Sequence, residues 1–135
     1  MLLVLNAGDD VMERLIAFAN EQAIEGASFS AIGAFSRATI AYWNPETKKY
    51  EEIAVDEQVE VLSLLGSLAT SDNGIRLHAH ATLGRRDGST IGGHLLRATV
   101  YPTLEVFVVD AGERIVRAKD EATGLMLIKR PPRTT

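Results

Sequence analysis

The chain has three histidines, His78, His80 and His94, and all of them lie within one short stretch of the sequence. On a β-strand, side chains two residues apart lie on the same face, so His78 and His80 can place two imidazoles side by side. Because the sequence has no cysteine, a metal ion could be held here only through nitrogen and oxygen. The spacing therefore predicts a divalent-metal site with these two histidines as its first ligands.

The third ligand, His94, has to return from the next segment of the chain. The dipeptide Asp87-Gly88 between the two segments is a strong signal for a two-residue hairpin turn. If these residues form the turn, His94 pairs with Ala81 and faces away from the other histidines, because a one-residue shift exchanges the two faces of a strand. We therefore expect a β-bulge at Gly92-Gly93, where glycine tolerates the backbone angles that would return His94 to the metal face.

Zinc is the metal that this ligand set favours. Neutral imidazoles suit Zn²⁺, and three of them leave a fourth position for water or another ligand, although another divalent metal also fits the pattern. Such an open position is found in catalytic zinc sites but does not by itself establish catalysis. A single histidine on a strand is more often a residue with satisfied hydrogen bonds, and it is the clustering of all three that favours a metal site.

Groups that could assist chemistry at such a site are few. Asp87 could orient an imidazole, and Glu105 could act as a base or a further ligand. Asp87 is better explained as a turn residue, and Glu105 as a charged residue of a strand. Ser89 and Thr90 have no spare histidine to activate them, so the sequence assigns no catalytic residue.

The elements around the histidines form an α+β pattern. A helix is predicted after Asp10, which caps it, with Glu13 three residues later as in a capping box and Gly26 as a stop beyond it. The other apolar residues have the periodicity of strands, with a hairpin at Asn44-Pro45-Glu46 and an interruption at Gly66. Strands are predicted over 2–5, 59–65, 77–83, 95–100 and 104–109, and an edge strand is compatible with 125–128. Without a βαβ rhythm, the pattern predicts a largely antiparallel β-sheet with one or two packed helices.

Length and composition indicate one globular domain. The 135 residues are 46% hydrophobic and 24% charged, which is ordinary for a folded domain with a single core. We expect this domain to cover residues 1–130, with a loose C-terminal tail over 131–135. The apolar opening is followed at once by polar residues and no stretch could span a membrane, so a cytoplasmic protein without a membrane partner is expected.

The net charge of −4 at pH 7 disfavours nucleic acid as a partner, because a phosphate backbone attracts positive potential. Basic residues cluster at Arg85-Arg86 in a turn and at Lys129-Arg130 with Arg133 in the Pro-rich terminal segment, where solvated charge is the simpler explanation. So many strands in a short chain leave part of the sheet surface exposed. Association into a homo-oligomer would bury that surface. A small-molecule ligand or a protein partner fits this composition better than nucleic acid.

Four segments are informative in combination: Ile32-Gly33-Ala34-Phe35-Ser36, residues 61–68, residues 77–95 with their His-x-His and Gly-Gly-His elements, and residues 101–107. Together they resemble the PPC domain family, the plant-and-prokaryote conserved domain, in its stand-alone prokaryotic form. The resemblance implies an α+β fold on a largely antiparallel sheet, and a homotrimer. It also implies that His78, His80 and His94, at the matching positions, are zinc ligands.

The resemblance implies no reaction. The DNA-binding label of prokaryotic members is borrowed from plant proteins in which the domain follows AT-hooks, and this chain has no Arg-Gly-Arg core of that kind. The leading hypothesis is therefore a homotrimeric zinc-binding module with a small-ligand or regulatory role. A zinc-dependent enzyme acting on a small polar substrate is the alternative, and a DNA-binding protein is the third hypothesis.

Overall fold

A computed structural model describes residues 1–129 of the chain, and the tail predicted over 131–135 lies outside the described residues. The elements in chain order are β1 (Leu2–Asn6), α1 (Val11–Glu21), β2 (Gly26–Asn44), β3 (Lys49–Val55), β4 (Val59–Ser71), β5 (Gly74–Gly84), β6 (Thr90–Asp110), β7 (Arg117–Lys119) and β8 (Met126–Ile128). Among residues 1–129, no helix has the length and apolar character needed to cross a bilayer.

Six strands form one antiparallel sheet in the order β1-β6-β5-β4-β2-β3, and a further pairing of β6 with β2 closes the hydrogen-bonded ladder into a ring. The two longest strands, β2 and β6, make this closure because each is long enough to pair with different neighbours along its length. Strands β7 and β8 form a separate two-stranded sheet. The predicted α+β architecture on a largely antiparallel sheet is confirmed, with one helix in the described part of the chain.

Helix α1 begins where the capping box predicts. The carboxylate of Asp10 accepts a hydrogen bond from the backbone N–H of Glu13 at 2.9 Å, which satisfies one of the unpaired donors of the first turn. The helix ends at Glu21, well before Gly26, so Gly26 opens β2 instead of stopping the helix. The buried face of α1 packs against β5 and β6. It consists of Val11, Leu15 and Ala19.

The core fills the interior of the ring and the space beneath α1. Alternating residues of the strands point inward, as expected for a sheet with one buried face. The largest fully buried side chains are Phe35, Leu5, Leu15, Ile40, Leu64, Leu68, Leu83, Leu95 and Leu104. Residues from every one of the six sheet strands belong to this single core, which makes the described region one packed unit.

Gly66 does not interrupt its strand, contrary to the prediction, because β4 continues through it from Val59 to Ser71. A Cβ at this position would lie 2.4 Å from the carbonyl oxygen of His78 and 2.4 Å from the ring of Phe29. Glycine is therefore required here for close packing between β4, β5 and an aromatic side chain of β2. The backbone of His78 is one of the two groups that leave no room for a side chain at this position.

Replacing Gly66 with alanine should lower the free energy of unfolding by about 1–3 kcal/mol, because the added methyl group overlaps backbone that cannot move freely. Gly84→Ala is the matched control. Its Cβ would meet only the side chain of Leu62 at 3.2 Å, and that side chain is 52% exposed and can rotate away. Urea denaturation of both variants measures the difference. Equal stabilities would contradict the packing argument.

Candidate metal centre

His78 and His80 lie on one face of β5, as their spacing predicts. Their Nε2 atoms are 3.2 Å apart, and their rings are nearly perpendicular, at 86°. Two imidazole nitrogens bound to one tetrahedral zinc at about 2.0–2.1 Å would stand about 3.3 Å from each other. The observed separation fits that geometry.

His94 lies directly opposite His80 in the ladder between β5 and β6, and the pairing continues without a break through Gly93 and Gly92. The bulge predicted at these two glycines is therefore wrong. His94 nevertheless faces the other two histidines, because residues opposite each other in an antiparallel pair lie on the same face. The ligand-capable nitrogens of the three histidines all lie within 4.8 Å of one another.

The register is set by the turn instead. Arg85 and Ser89 are the paired ends of the loop, with a hydrogen bond from the N–H of Arg85 to the carbonyl of Ser89 at 2.8 Å. The N–H of Gly88 donates to the carbonyl of Arg85 at 2.9 Å, and Gly88 has a φ of 84°. This is a turn followed by a left-handed glycine, which gives a three-residue loop. The loop therefore consists of residues 86–88, one residue more than the predicted two-residue turn. This additional residue gives His94 the register that the sequence had predicted from a bulge at Gly92-Gly93.

Gly92 and Gly93 have a different function, which is to let β6 approach its neighbours closely. A Cβ at Gly92 would lie 2.9 Å from the carbonyl oxygen of Ala81 in β5, and one at Gly93 would lie 2.8 Å from that of Ala41 in β2. The ladder with β2 does shift its register just beyond His94, between the pairs Thr39 with Arg97 and Ile40 with Leu95.

Tyr50, from β3, supports the third histidine. Its ring stacks on that of His94 with centroids 4.6 Å apart and an angle of 25° between the planes. The Nδ1 atom of His94 is buried and has no hydrogen-bond partner among the described residues. An unpartnered ring nitrogen within a histidine cluster is consistent with a site that holds a cation, so the residues present fit a metal ion.

Arg117, the first residue of β7, is a site residue that sequence reasoning did not identify. Its side chain is 8% exposed and contacts three groups. Nη1 donates to the carbonyl of Met126 at 2.9 Å, Nη2 donates to the hydroxyl of Ser67 at 2.9 Å, and Nη2 lies 3.4 Å from Nδ1 of His78. The only signal in the sequence is one arginine in an otherwise apolar stretch, Ile115-Val116-Arg117-Ala118, which is a weak one.

Electrostatics keep two of the imidazoles neutral. Burial lowers the pKa of His94 to about 4, and the neighbouring His78 and His80 add to the shift. The pKa of His78 is also lowered, first by burial, then by the charge of Arg117 and by His80. Neutral imidazole is the form that binds a metal, so these shifts favour binding near neutral pH.

The cluster lies in a cavity of about 660 Å³. Neither Asp87 nor Glu105 lines it. Asp87 accepts hydrogen bonds from the backbone and hydroxyl of Ser89 at the exposed hairpin tip, and Glu105 is exposed on β6. The lining residues are Ala41, Tyr42, Trp43, Tyr50, Arg76, Leu77, His78, His80, Gly93, His94, Leu96, Arg117, Gly124, Leu125, Met126 and Leu127.

Solved structures with the same fold come from archaea and bacteria. A metal-containing protein from Archaeoglobus fulgidus is 40% identical with a TM-score of 0.89, covering 96% of this chain and 92% of its own. A PPC protein from Pyrococcus horikoshii is 30% identical with a TM-score of 0.90, covering 97% and 91%. A Bacteroides thetaiotaomicron structure, named as a candidate DNA-binding protein, is 34% identical with a TM-score of 0.90, covering 95% and 90%.

The search of curated proteins gave no match. The model of the Plants and Prokaryotes Conserved (PCC) domain matches residues 1–112, which include all three histidines but end before Arg117. With this match and the 40% identity to the Archaeoglobus protein, the chain belongs to the plant-and-prokaryote conserved domain family.

Proposed function

We propose that this protein is a zinc-binding module whose metal is held by His78, His80 and His94 and whose cavity admits a small ligand. The convergence of the three side chains carries the proposal, because their ligand-capable nitrogens lie within 4.8 Å of one another. The Archaeoglobus relative, which is named as a metal-containing protein, supports it. Zinc is preferred because the donor set is three neutral nitrogens without a carboxylate.

The two other functions are less well supported. A zinc enzyme needs a group that moves a proton, and among the described residues the cavity offers only Tyr42 and Tyr50 for that role, with no Asp, Glu or further histidine. DNA binding rests on the name of a relative and is opposed by the net charge of −4. The cytoplasmic location expected from the sequence stays a prediction.

Protein purified without a histidine tag should contain zinc in a near-stoichiometric amount, and His80→Ala should lose it. His80 is exposed on β5, so its truncation should remove a ligand without disturbing the core. Thr82→Ala is the matched control, since Thr82 is also exposed and lies two residues further along the strand. Elemental analysis after dialysis against zinc measures both. Wild-type protein that takes up no zinc would refute the proposal.

The neutral state of His94 predicts a pH-dependent stability for the metal-free protein. With a pKa of 6.5 in the unfolded chain and about 4 in the folded one, the unfolded state binds a proton first as the pH falls. Stability should therefore decline between pH 6.5 and 4, by up to about 1.4 kcal/mol per pH unit from this residue.

The His94→Gln variant isolates this effect because glutamine does not titrate. Urea denaturation with a chelator present should show the wild type losing stability relative to the variant as the pH falls from 6.5, with a constant difference above pH 7. A difference that stays constant down to pH 4 would mean that His94 does not remain neutral in the folded protein.

We further propose that the chain forms a homotrimer through an apolar patch on β1, β2 and β6. In this patch, Leu2 pairs with Phe107 across β1 and β6, and Val4 and Ile32 flank Glu105 on its two sides. The apolar members are 47–66% exposed, a large exposure for adjoining aliphatic and aromatic side chains. They are Leu2, Val4, Ile32, Phe107 and Val109.

Light scattering at micromolar concentration should report three chains for the wild type and one chain for Phe107→Glu, because a second carboxylate beside Glu105 would add like-charge repulsion and a further desolvation cost to the patch. Ile53→Glu is the control, since Ile53 is an exposed residue of β3 at the opposite edge of the sheet. A wild-type monomer, or a trimer that survives Phe107→Glu, would exclude this interface.

A further inference from the structure

The cavity around the three histidines carries positive charge without any negative charge to balance it. Arg76 and Arg117 both line it, and no Asp or Glu does so among the described residues. Neither arginine forms an ion pair within residues 1–129, where the ion pairs involve other arginines. A bound divalent cation would add two further positive charges, since the imidazoles that hold it are neutral.

Arg117 is the stronger indication of an anionic ligand, because its charge is buried whereas Arg76 is exposed. A guanidinium has five N–H donors, and the partners found for it here are a carbonyl, a hydroxyl and one ring nitrogen of His78. Its Nε atom is buried without a hydrogen-bond partner in the described region. A buried cation with no carboxylate beside it is costly, and an anionic ligand would offset that cost.

The apolar part of the cavity wall indicates the chemistry of the uncharged part of such a ligand. The cavity volume of about 660 Å³ is within the range of sites for small organic molecules. Trp43, Leu77 and Leu96 contribute apolar surface to its wall. An inorganic ion would leave that surface unused, whereas a carboxylate attached to an apolar group would contact it.

We infer that this cavity is a binding site for a small organic carboxylate, with Arg117 and Arg76 selecting its charge and the apolar wall holding its body. The inference deepens the proposed function and rests on it for the contribution of the metal. The arginines supply the part of the argument that does not depend on the metal. Arg117 reaches the site from β7, which lies after the residues that the family model matches.

Isothermal titration of the zinc-loaded protein with benzoate tests charge selection, with neutral benzamide as the isosteric comparison. Benzoate should bind roughly tenfold more tightly or better, as expected for a desolvated charge pair. Phenyl phosphate tests whether the site prefers a phosphate group to a carboxylate group on the same ring. It should bind more weakly than benzoate. Equal affinity for benzoate and benzamide, or no benzoate binding at all, would overturn the inference, and tighter phenyl phosphate binding would overturn the choice of carboxylate.

In samples matched for zinc content, Arg117→Gln should weaken benzoate binding by roughly tenfold or more, and Arg117→Lys should restore part of the affinity. Arg86→Gln is the matched control, because Arg86 is exposed at the hairpin tip and does not line the cavity. Arg76→Gln, a change at an exposed residue, provides a second test should Arg117→Gln fail to fold. Unchanged benzoate affinity in the folded cavity variants would contradict the assignment of the arginines.

Measuring zinc content and benzoate affinity on the same samples separates this inference from the proposed function. Zinc-free protein that still binds benzoate in an Arg117-dependent manner would support the anion site and refute the metal proposal. Zinc-loaded protein that does not distinguish benzoate from benzamide would support the metal proposal and refute the anion site.

Discussion

The pairing of His80 with His94 across β5 and β6 is the constraint on which the whole site depends. A shift of one residue in this ladder would turn His94 to the other face and leave two candidate ligands instead of three. The left-handed Gly88 in the turn sets the register, because it adds one residue to the loop. A turn glycine far from the cavity thus decides whether three imidazoles can meet.

Close packing of the strands then holds the histidines in place. At Gly66 the neighbouring strand approaches so closely that no side chain fits, and the atom it meets belongs to the backbone of His78. Ser67, the next residue, accepts a hydrogen bond from Arg117, which in turn faces the ring of His78. Stacking by Tyr50 supports His94 from another strand. The contacts to the histidines therefore come from five strands, β3 to β7, and the cavity wall adds residues of β2 and β8.

The sequence was sufficient for features that depend on local spacing. The shared face of His78 and His80 follows from the two-residue period of a strand, and the cap at Asp10 follows from its own helix. The turn after Arg85 was assigned one residue too few, because a two-residue and a three-residue hairpin both accept an Asp-Gly pair. Arg117 was missed because its partners are distant in sequence, and only the folded chain brings them together.

Metal binding and the contact with Arg117 make opposite demands on His78. A guanidinium only donates, so when Arg117 contacts Nδ1 the ring proton is on Nε2, where it can be donated to His80 at 3.2 Å. A metal held through Nε2 would need the lone pair there, which would place the ring proton on Nδ1 and leave two donors facing each other at 3.4 Å. An acceptor that joins both donors, such as a carboxylate oxygen, relieves this conflict. Metal and anion should therefore bind cooperatively, and by linkage each should raise the affinity of the other by the same factor.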